Sequence, residues 1–235
     1  MDKKLFIVAN WKSYKTSAEA INFLQEIANY KAQLAGNTEI IICPAFTLLP
    51  KMHEFILQND LPIKLGVQDI SPFGEGAYTG AINIKQASEF ATYAIIGHSE
   101  RRKYFHETDD DVIAKVKILL ENNLIPVLCV SDMAQMDYYL TNGSVIVDNA
   151  EKIVFVYEPP SAISGGGAYK SKSPEEANAN ASEISKKLGK KVITLYGGSV
   201  NPENRNALFG QSNIDGGLIG QASLTVESFM KLVNS

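Results

Sequence analysis

The sequence predicts a closed (β/α)8 barrel of eight parallel strands ringed by helices. Three observations lead there. Eight short, β-branched or apolar runs recur along the chain, each followed by a polar or glycine-rich connection and a helical pattern or helix-length segment. Most of these runs are apolar throughout, as expected when both faces of a parallel sheet are covered. No Gly-x-Gly-x-x-Gly follows the first run, which disfavours the doubly wound dinucleotide-binding sheet that shares the same alternation. The chain has 235 residues, and roughly 200–250 is normal for one such barrel. Residues 1–235 are therefore read as a single domain, with no linker or low-complexity stretch to divide them.

Taken in order, the expected strands are Leu5–Asn10, Glu39–Cys43, Ile63–Gln68, Tyr93–Gly97, Ile125–Cys129, Ile153–Tyr157, Val192–Tyr196 and Ile214–Ile219. The clearest helical patterns between them are Ala18–Leu34, Asp109–Asn122 and Pro174–Leu188. Pro174 after Ser173 suits a helix start, because a proline at the first helical position loses no needed donor. Thr108 followed by Asp109-Asp110-Asp111 reads as a cap with acidic residues favoured by the helix dipole. Those aspartates make a poor metal site, since no partner ligands follow at usable spacing.

Composition narrows the function classes. The formal net charge is −4, from 22 Lys+Arg and 26 Asp+Glu. Without a basic cluster there is no electrostatic footprint for nucleic acid. The longest apolar runs fall far short of the roughly 18 residues a membrane span needs. The run Leu5–Ala9 is short and ends at polar Asn10, so it does not read as a secretory leader. Cys43 and Cys129 sit in or at the end of apolar runs, where single buried thiols are common. A cytoplasmic, reducing setting is the expectation.

In a barrel of this kind the chemistry sits where strands end and loops begin. The first strand delivers Asn10-Trp11-Lys12, and the fourth delivers Gly97-His98-Ser99-Glu100-Arg101-Arg102. The sixth delivers Tyr157-Glu158-Pro159-Pro160, with Gly165-Gly166-Gly167 in the loop beyond. The seventh ends in Tyr196-Gly197-Gly198-Ser199-Val200, and the eighth runs into Gly220-Gln221-Ala222-Ser223. One cation, one imidazole and one carboxylate thus converge on a face that carries two glycine-containing loops. Loops after the last two strands are the usual phosphate site of this fold, where bare backbone N–H groups can approach an anion. Gly165-Gly166-Gly167 is no nucleotide P-loop, because it lacks the Gly-Lys-Ser/Thr run. Lys12 directly follows a buried strand. His98 precedes what looks like a helix start, which disfavours an imidazolium. Glu158 is followed by two stiffening prolines and a flexible loop, the arrangement of a base shielded when a lid closes. Together these groups describe proton abstraction beside a carbonyl in a small phosphorylated substrate.

The motifs after the first, fourth, sixth and seventh strands, in this chain order, resemble the triosephosphate isomerase family. Gln68-Asp69-Ile70-Ser71 with Gly76-Ala77-Tyr78-Thr79-Gly80 is similar to that family's long third loop. The resemblance implies isomerisation of dihydroxyacetone phosphate and D-glyceraldehyde 3-phosphate through an enediolate, with no cofactor and no metal. It assigns proton abstraction to Glu158, carbonyl polarisation by a neutral imidazole to His98, and stabilisation of negative charge to Lys12, with Asn10 helping to position the same oxygens. Ser199, Gly198 and Gly220 would hold the phosphate, with Ser164 and Gln221 at positions where the family has glycine. Glu100 would lie beside Lys12, and Thr79 would reach a partner's catalytic residues in a homodimer formed through loop 71–80. The alternatives are another phosphate-binding barrel isomerase or lyase, and a non-catalytic barrel. Neither gives a reason for Lys12, His98 and Glu158 to occur together.

The chain departs from the family at several points. The usual Pro-x-Trp-Ala-Ile-Gly-Thr-Gly lid reads Pro159-Pro160-Ser161-Ala162-Ile163-Ser164-Gly165-Gly166. Cys129-Val130-Ser131-Asp132 stands for Cys-x-Gly-Glu, and the segment leading to the sixth strand is short. Asp69 stands where Asn is usual, and Ala81 where Glu is usual. Gln221 replaces the second glycine of a pair. Either its backbone is strained in the left-handed region, or the turn has an ordinary φ and the side-chain amide donates to phosphate. The second account is preferred, because two retained strains at one site are improbable.

Overall fold

The computed structural model describes residues 3–34, 36–162 and 171–234. Its strands are β1 (Leu5–Asn10), β2 (Thr38–Cys43), β3 (Lys64–Val67), β4 (Tyr93–Ile96), β5 (Ile125–Val130), β6 (Val154–Tyr157), β7 (Ile193–Tyr196) and β8 (Gly216–Ile219). Between and after them run helices α1 (Ser17–Ala28), α2 (Lys31–Leu34), α3 (Leu49–Gln58), α4 (Ile84–Ser88), α5 (Ser99–Phe105) and α6 (Asp109–Glu121). The remaining helices are α7 (Met133–Asn142), α8 (Ser144–Asp148), α9 (Pro174–Leu188), α10 (Arg205–Phe209) and α11 (Val226–Val233). The strands pair in parallel in sequence order, and β1 pairs with β8 to close the barrel.

Both faces of each strand are buried, which is why the runs do not alternate in polarity. Phe6, Val8, Ile41, Ile95, Val127, Val156, Leu195 and Leu218 fill the barrel interior. Their chain neighbours, such as Ile7, Ile40, Ile42, Ile96, Leu128 and Phe155, face the helices with Leu24, Met52, Val116 and Ile184. Residues two apart on a strand share a face, so the two cores interleave along every strand.

The observed elements follow the expected ones closely, with informative differences. Helix α9 spans Pro174–Leu188 as expected; the Ser173 side chain accepts from Glu176 N, and Gly189 ends the helix at φ 66°. The run expected as one helix over Ala18–Leu34 divides into α1 and α2. The chain tightens at Asn29 and Tyr30, where Tyr30 N donates to the Ile27 carbonyl at 2.8 Å. A polar Asn that competes for backbone groups is a weak helix interior residue. Strand β8 starts at Gly216 instead of Ile214 because Asp215 turns its carboxylate onto Thr194 N (2.9 Å). The acidic run is spent on structure: Thr108 and Asp111 form a reciprocal cap, Asp109 pairs with Arg102 at 2.8 Å, and Asp110 accepts from the Tyr138 hydroxyl.

Barrel closure rests on one glycine. Gly216 has φ 139°, and a Cβ there would lie 1.9 Å from the Phe6 carbonyl oxygen. Gly216→Ala is expected to cost ~3 kcal/mol or more, since both the dihedral and the β1 backbone oppose a side chain. A thermal or urea midpoint unchanged from the parent would contradict this.

Candidate active site

The C-terminal ends of the strands bring the sequence-predicted groups together around one cavity of about 520 Å³, lined by Asn10, Lys12, His98, Glu158, Gly198, Ser199, Gly220 and Gln221 among others. Glu158 follows β6 directly, and its N–H donates to the Val130 carbonyl at 2.8 Å. The residue is 1% exposed. Its carboxylate meets three donors: the Ser99 N–H at 3.0 Å, the Ser99 hydroxyl at 3.2 Å and His98 Nε2 at 2.9 Å.

His98 caps α5, and its Nδ1 accepts from the Glu100 N–H at 3.2 Å. A ring nitrogen that accepts carries no proton, so this bond places the proton of a neutral imidazole on Nε2, facing Glu158 and the cavity. Gly97, just before it, has φ 73°, a conformation that turns the chain from strand to helix at little cost only for glycine.

Lys12 has φ 49°, unusual for a lysine and typical of strain held at a working site. Asn10 Oδ1 accepts from the Lys12 N–H at 3.0 Å, and Gln68 Nε2 donates to the Lys12 carbonyl at 2.8 Å and the Cys43 carbonyl at 2.9 Å. The ammonium pairs with Glu100 at 2.7 Å, as expected from the resemblance. Its Cε lies 3.4 Å from where a Cβ on Gly220 would stand. Lysine, imidazole and carboxylate therefore flank the same space, with the β8 loop as its neighbouring wall.

The loop after β7 is built on close approach. A Cβ on Gly198 would lie 2.2 Å from the Tyr196 hydroxyl oxygen, and one on Gly197 would lie 2.6 Å from Val156 Cγ1. The Ser199 hydroxyl donates to the Ala162 carbonyl at 3.1 Å, joining the β7 loop to the segment that follows β6. Gln221 opens a short 3-10 turn and is absent from the residues with positive φ, while Gly220 has φ −87°. The ordinary-φ account of Gln221 holds for the backbone. Ser164 lies outside the described residues.

Three contributors to the site were not singled out from sequence. Ser99 holds the Glu158 carboxylate through both of its oxygens, and Gln68 braces the strained lysine. Cys129 lies inside the barrel beside that carboxylate: burial first, then the Glu158 charge, pushes its thiol well above the usual range. Burial does the same to Cys43. Both cysteines are free, and neither is poised as a nucleophile. Asp69, for its part, is ion-paired with Arg101 at 2.8 Å and Lys115 at 2.7 Å.

A buried carboxylate against a tautomer-fixed imidazole, with a lysine across the cavity and glycine loops beside it, defines a barrel enzyme that moves protons on a small anionic substrate. The sequence model described as triosephosphate isomerase matches residues 5–235. The chain is 39% identical to the triosephosphate isomerase of Trichodesmium erythraeum, over 99% of each chain. It is 40% identical to that of Dictyoglomus turgidum, over 99% of this chain and 100% of the relative. It is 38% identical to that of Thermus thermophilus, over 98% of each. The chain belongs to the triosephosphate isomerase family.

Proposed function

We propose that Glu158, His98 and Lys12 carry out the interconversion of dihydroxyacetone phosphate and D-glyceraldehyde 3-phosphate in this isomerase. The observation that carries the reading is the 2.9 Å contact between the Glu158 carboxylate and His98 Nε2 at the wall of a cavity that also holds Lys12. A substrate carbonyl oxygen entering between them would take the Nε2–H from the carboxylate. The freed carboxylate oxygen would then face the adjacent carbon and remove its proton, giving an enediolate. His98 would pass a proton between the two substrate oxygens, and Lys12 would offset the negative charge that develops on them. Asn10 would position the same oxygens. Glu100, paired with the Lys12 ammonium at 2.7 Å, would hold it in place. The N–H groups near Gly198, Gly220 and Gln221, together with the Ser199 hydroxyl, would face the phosphate. A coupled assay supplied with glyceraldehyde 3-phosphate tests the reading, which requires turnover in both directions; a chain that binds the substrate without turnover would contradict it.

The Gln221 amide is read as a phosphate donor that takes over part of the backbone cradle. Gln221→Gly is then expected to weaken binding of a substrate-analogue phosphate by ~1 kcal/mol, the size of a modest hydrogen bond. Tighter binding of the glycine variant by calorimetry would mean that the side chain obstructs the site.

The working form is read as a homodimer built through loop 71–80. Phe73 and Tyr78 in that loop stack at 4.6 Å yet stay 51% and 46% exposed, and Thr79 is exposed beside them. Tyr14 and α5 residues Tyr104 and Phe105 add further exposed aromatic surface, more than a solitary loop needs. Light scattering is expected to show a dimer at micromolar concentration, and a fully active monomer there would refute the assignment. A cytoplasmic setting is supported by the two buried free thiols. Among the described residues, no helix is long and apolar enough to cross a membrane.

A further inference from the structure

We propose that Lys15 is a positioning residue that ties the loop of the catalytic lysine to the phosphate-side loop after β8, and through that tie sets phosphate affinity. The inference rests on the reading above in which the Gly220–Gln221 segment faces the phosphate. Five non-glycine residues among those described have a left-handed backbone: Lys12, Lys15, Asp60, His106 and Asn123. Asp60, His106 and Asn123 follow the ends of α3, α5 and α6, where such a conformation is ordinary. Lys12 and Lys15 end no helix. They lie three residues apart in one loop, and Lys15 holds φ 72°, a conformation for which lysine has none of the local advantage of glycine or asparagine. A lysine kept at such a position points to work done by its side chain.

That work is visible. Lys15 Nζ donates to the Leu224 carbonyl at 2.8 Å, just past the turn that Gln221 opens. The same ammonium lies 5.2 Å from the centre of the Trp11 ring and 5.0 Å from that of Phe23, within cation–π range of both. Burial lowers its pKa from the usual lysine value, with Glu19 and Glu26 acting in the opposite direction. Trp11 joins the same seam through Nε1, which donates to the Ser223 carbonyl at 3.3 Å. The Ser223 hydroxyl in turn donates to the Gly220 carbonyl at 2.7 Å, and Gly220 faces the Lys12 side chain, whose Cε would lie 3.4 Å from a Cβ placed there. A chain of hydrogen bonds and covalent links thus runs from Lys15 through Leu224 and Ser223 to Gly220, which borders the Lys12 side chain. Without the Lys15 end, the β8 loop would keep its turn but lose its fixed distance from the catalytic ammonium. Small misplacements of this kind are expensive in a preorganised site.

The test compares Lys15→Met, Lys15→Arg and Lys15→Gly with the parent in steady-state kinetics and in calorimetric binding of 2-phosphoglycolate. Methionine keeps an apolar stem at the same φ but removes the charge and the donor; arginine restores both. Lys15→Met is expected to raise KM and weaken 2-phosphoglycolate by about tenfold, the scale of one charged hydrogen bond, with a smaller change in kcat. Lys15→Arg is expected to recover most of that affinity. Lys15→Gly relieves the left-handed backbone, so it is expected to lose affinity while melting no lower than Lys15→Met. Parent-like affinity in Lys15→Met, or an equal loss in Lys15→Met and Lys15→Arg, would overturn the proposal. Failure of the parent itself to bind 2-phosphoglycolate would overturn the phosphate reading of the β8 loop, and this proposal with it.

Discussion

Replacing Glu158 by glutamine is expected to lower turnover by ~10²–10⁴, the usual loss when a general base is removed, while phosphate binding is kept. The amide is nearly isosteric, and its carbonyl oxygen can still accept from the Ser99 N–H, which now holds one carboxylate oxygen at 3.0 Å, while its NH2 takes the place of the oxygen that accepts from the Ser99 hydroxyl at 3.2 Å. It cannot accept a proton from carbon at neutral pH. Because Glu158 is 1% exposed and the substitution adds no volume, the fold is expected to persist, so the loss should fall on kcat with KM little changed. Near-parental turnover would sink the assignment of Glu158 as base, whatever the family resemblance.

Gly198→Ala is expected to act on affinity instead of chemistry. The added methyl would stand 2.2 Å from the Tyr196 hydroxyl oxygen and 2.4 Å from its ring carbon Cζ. Tyr196 is itself 1% exposed, so the ring has no free space to retreat into. Its hydroxyl also accepts from the Lys172 N–H at 3.0 Å, just ahead of α9. Relief therefore requires either the β7 loop or the chain at Lys172 to move. Overpacking of this kind typically costs 1–3 kcal/mol, equivalent to about 5–150-fold if it falls on the bound state. Binding of a phosphate analogue should weaken within that range, while His98 and Lys12 keep their own contacts. An alanine variant with unchanged KM and unchanged analogue affinity would show that the loop yields at no cost.

Much of this architecture was legible in the residues, for a physical reason. Strands covered on both faces must be apolar throughout, so polar residues at their C-terminal ends stand out: Asn10, His98 and Glu158 each break a buried run. Helix α9 was legible because Ser173, Pro174 and Gly189 each have one preferred place at a helix end. The α1–α2 break was not, since apolar spacing continues across Asn29 and Tyr30 even though the hydrogen bonds there tighten to residues three apart. The partners of the reactive groups were harder to read. Gln68 reaches Lys12 across 56 positions and Ser99 reaches Glu158 across 59, and no local pattern encodes such pairs. A usable signal exists for Gln68, the polar residue that closes the expected third strand and opens the third loop. Lys15 carries no such signal, because a lysine early in a loop looks solvated until its φ and the two rings beneath it are known. Gln221 shows the opposite case. Two backbone states fitted its sequence position, and the structure has the unstrained one.

Proton removal from carbon by Glu158 leaves a record in the product when the reaction is run on glyceraldehyde 3-phosphate in deuterium oxide and the label is read by NMR. A proton held on a carboxylate or an imidazole can exchange with solvent before it returns to carbon, so the account predicts deuterium at a single carbon of the dihydroxyacetone phosphate formed. In Glu158→Gln, labelling should slow in parallel with turnover. Normal turnover with no deuterium bound to carbon would indicate direct hydrogen transfer between the two carbons, and would contradict the account.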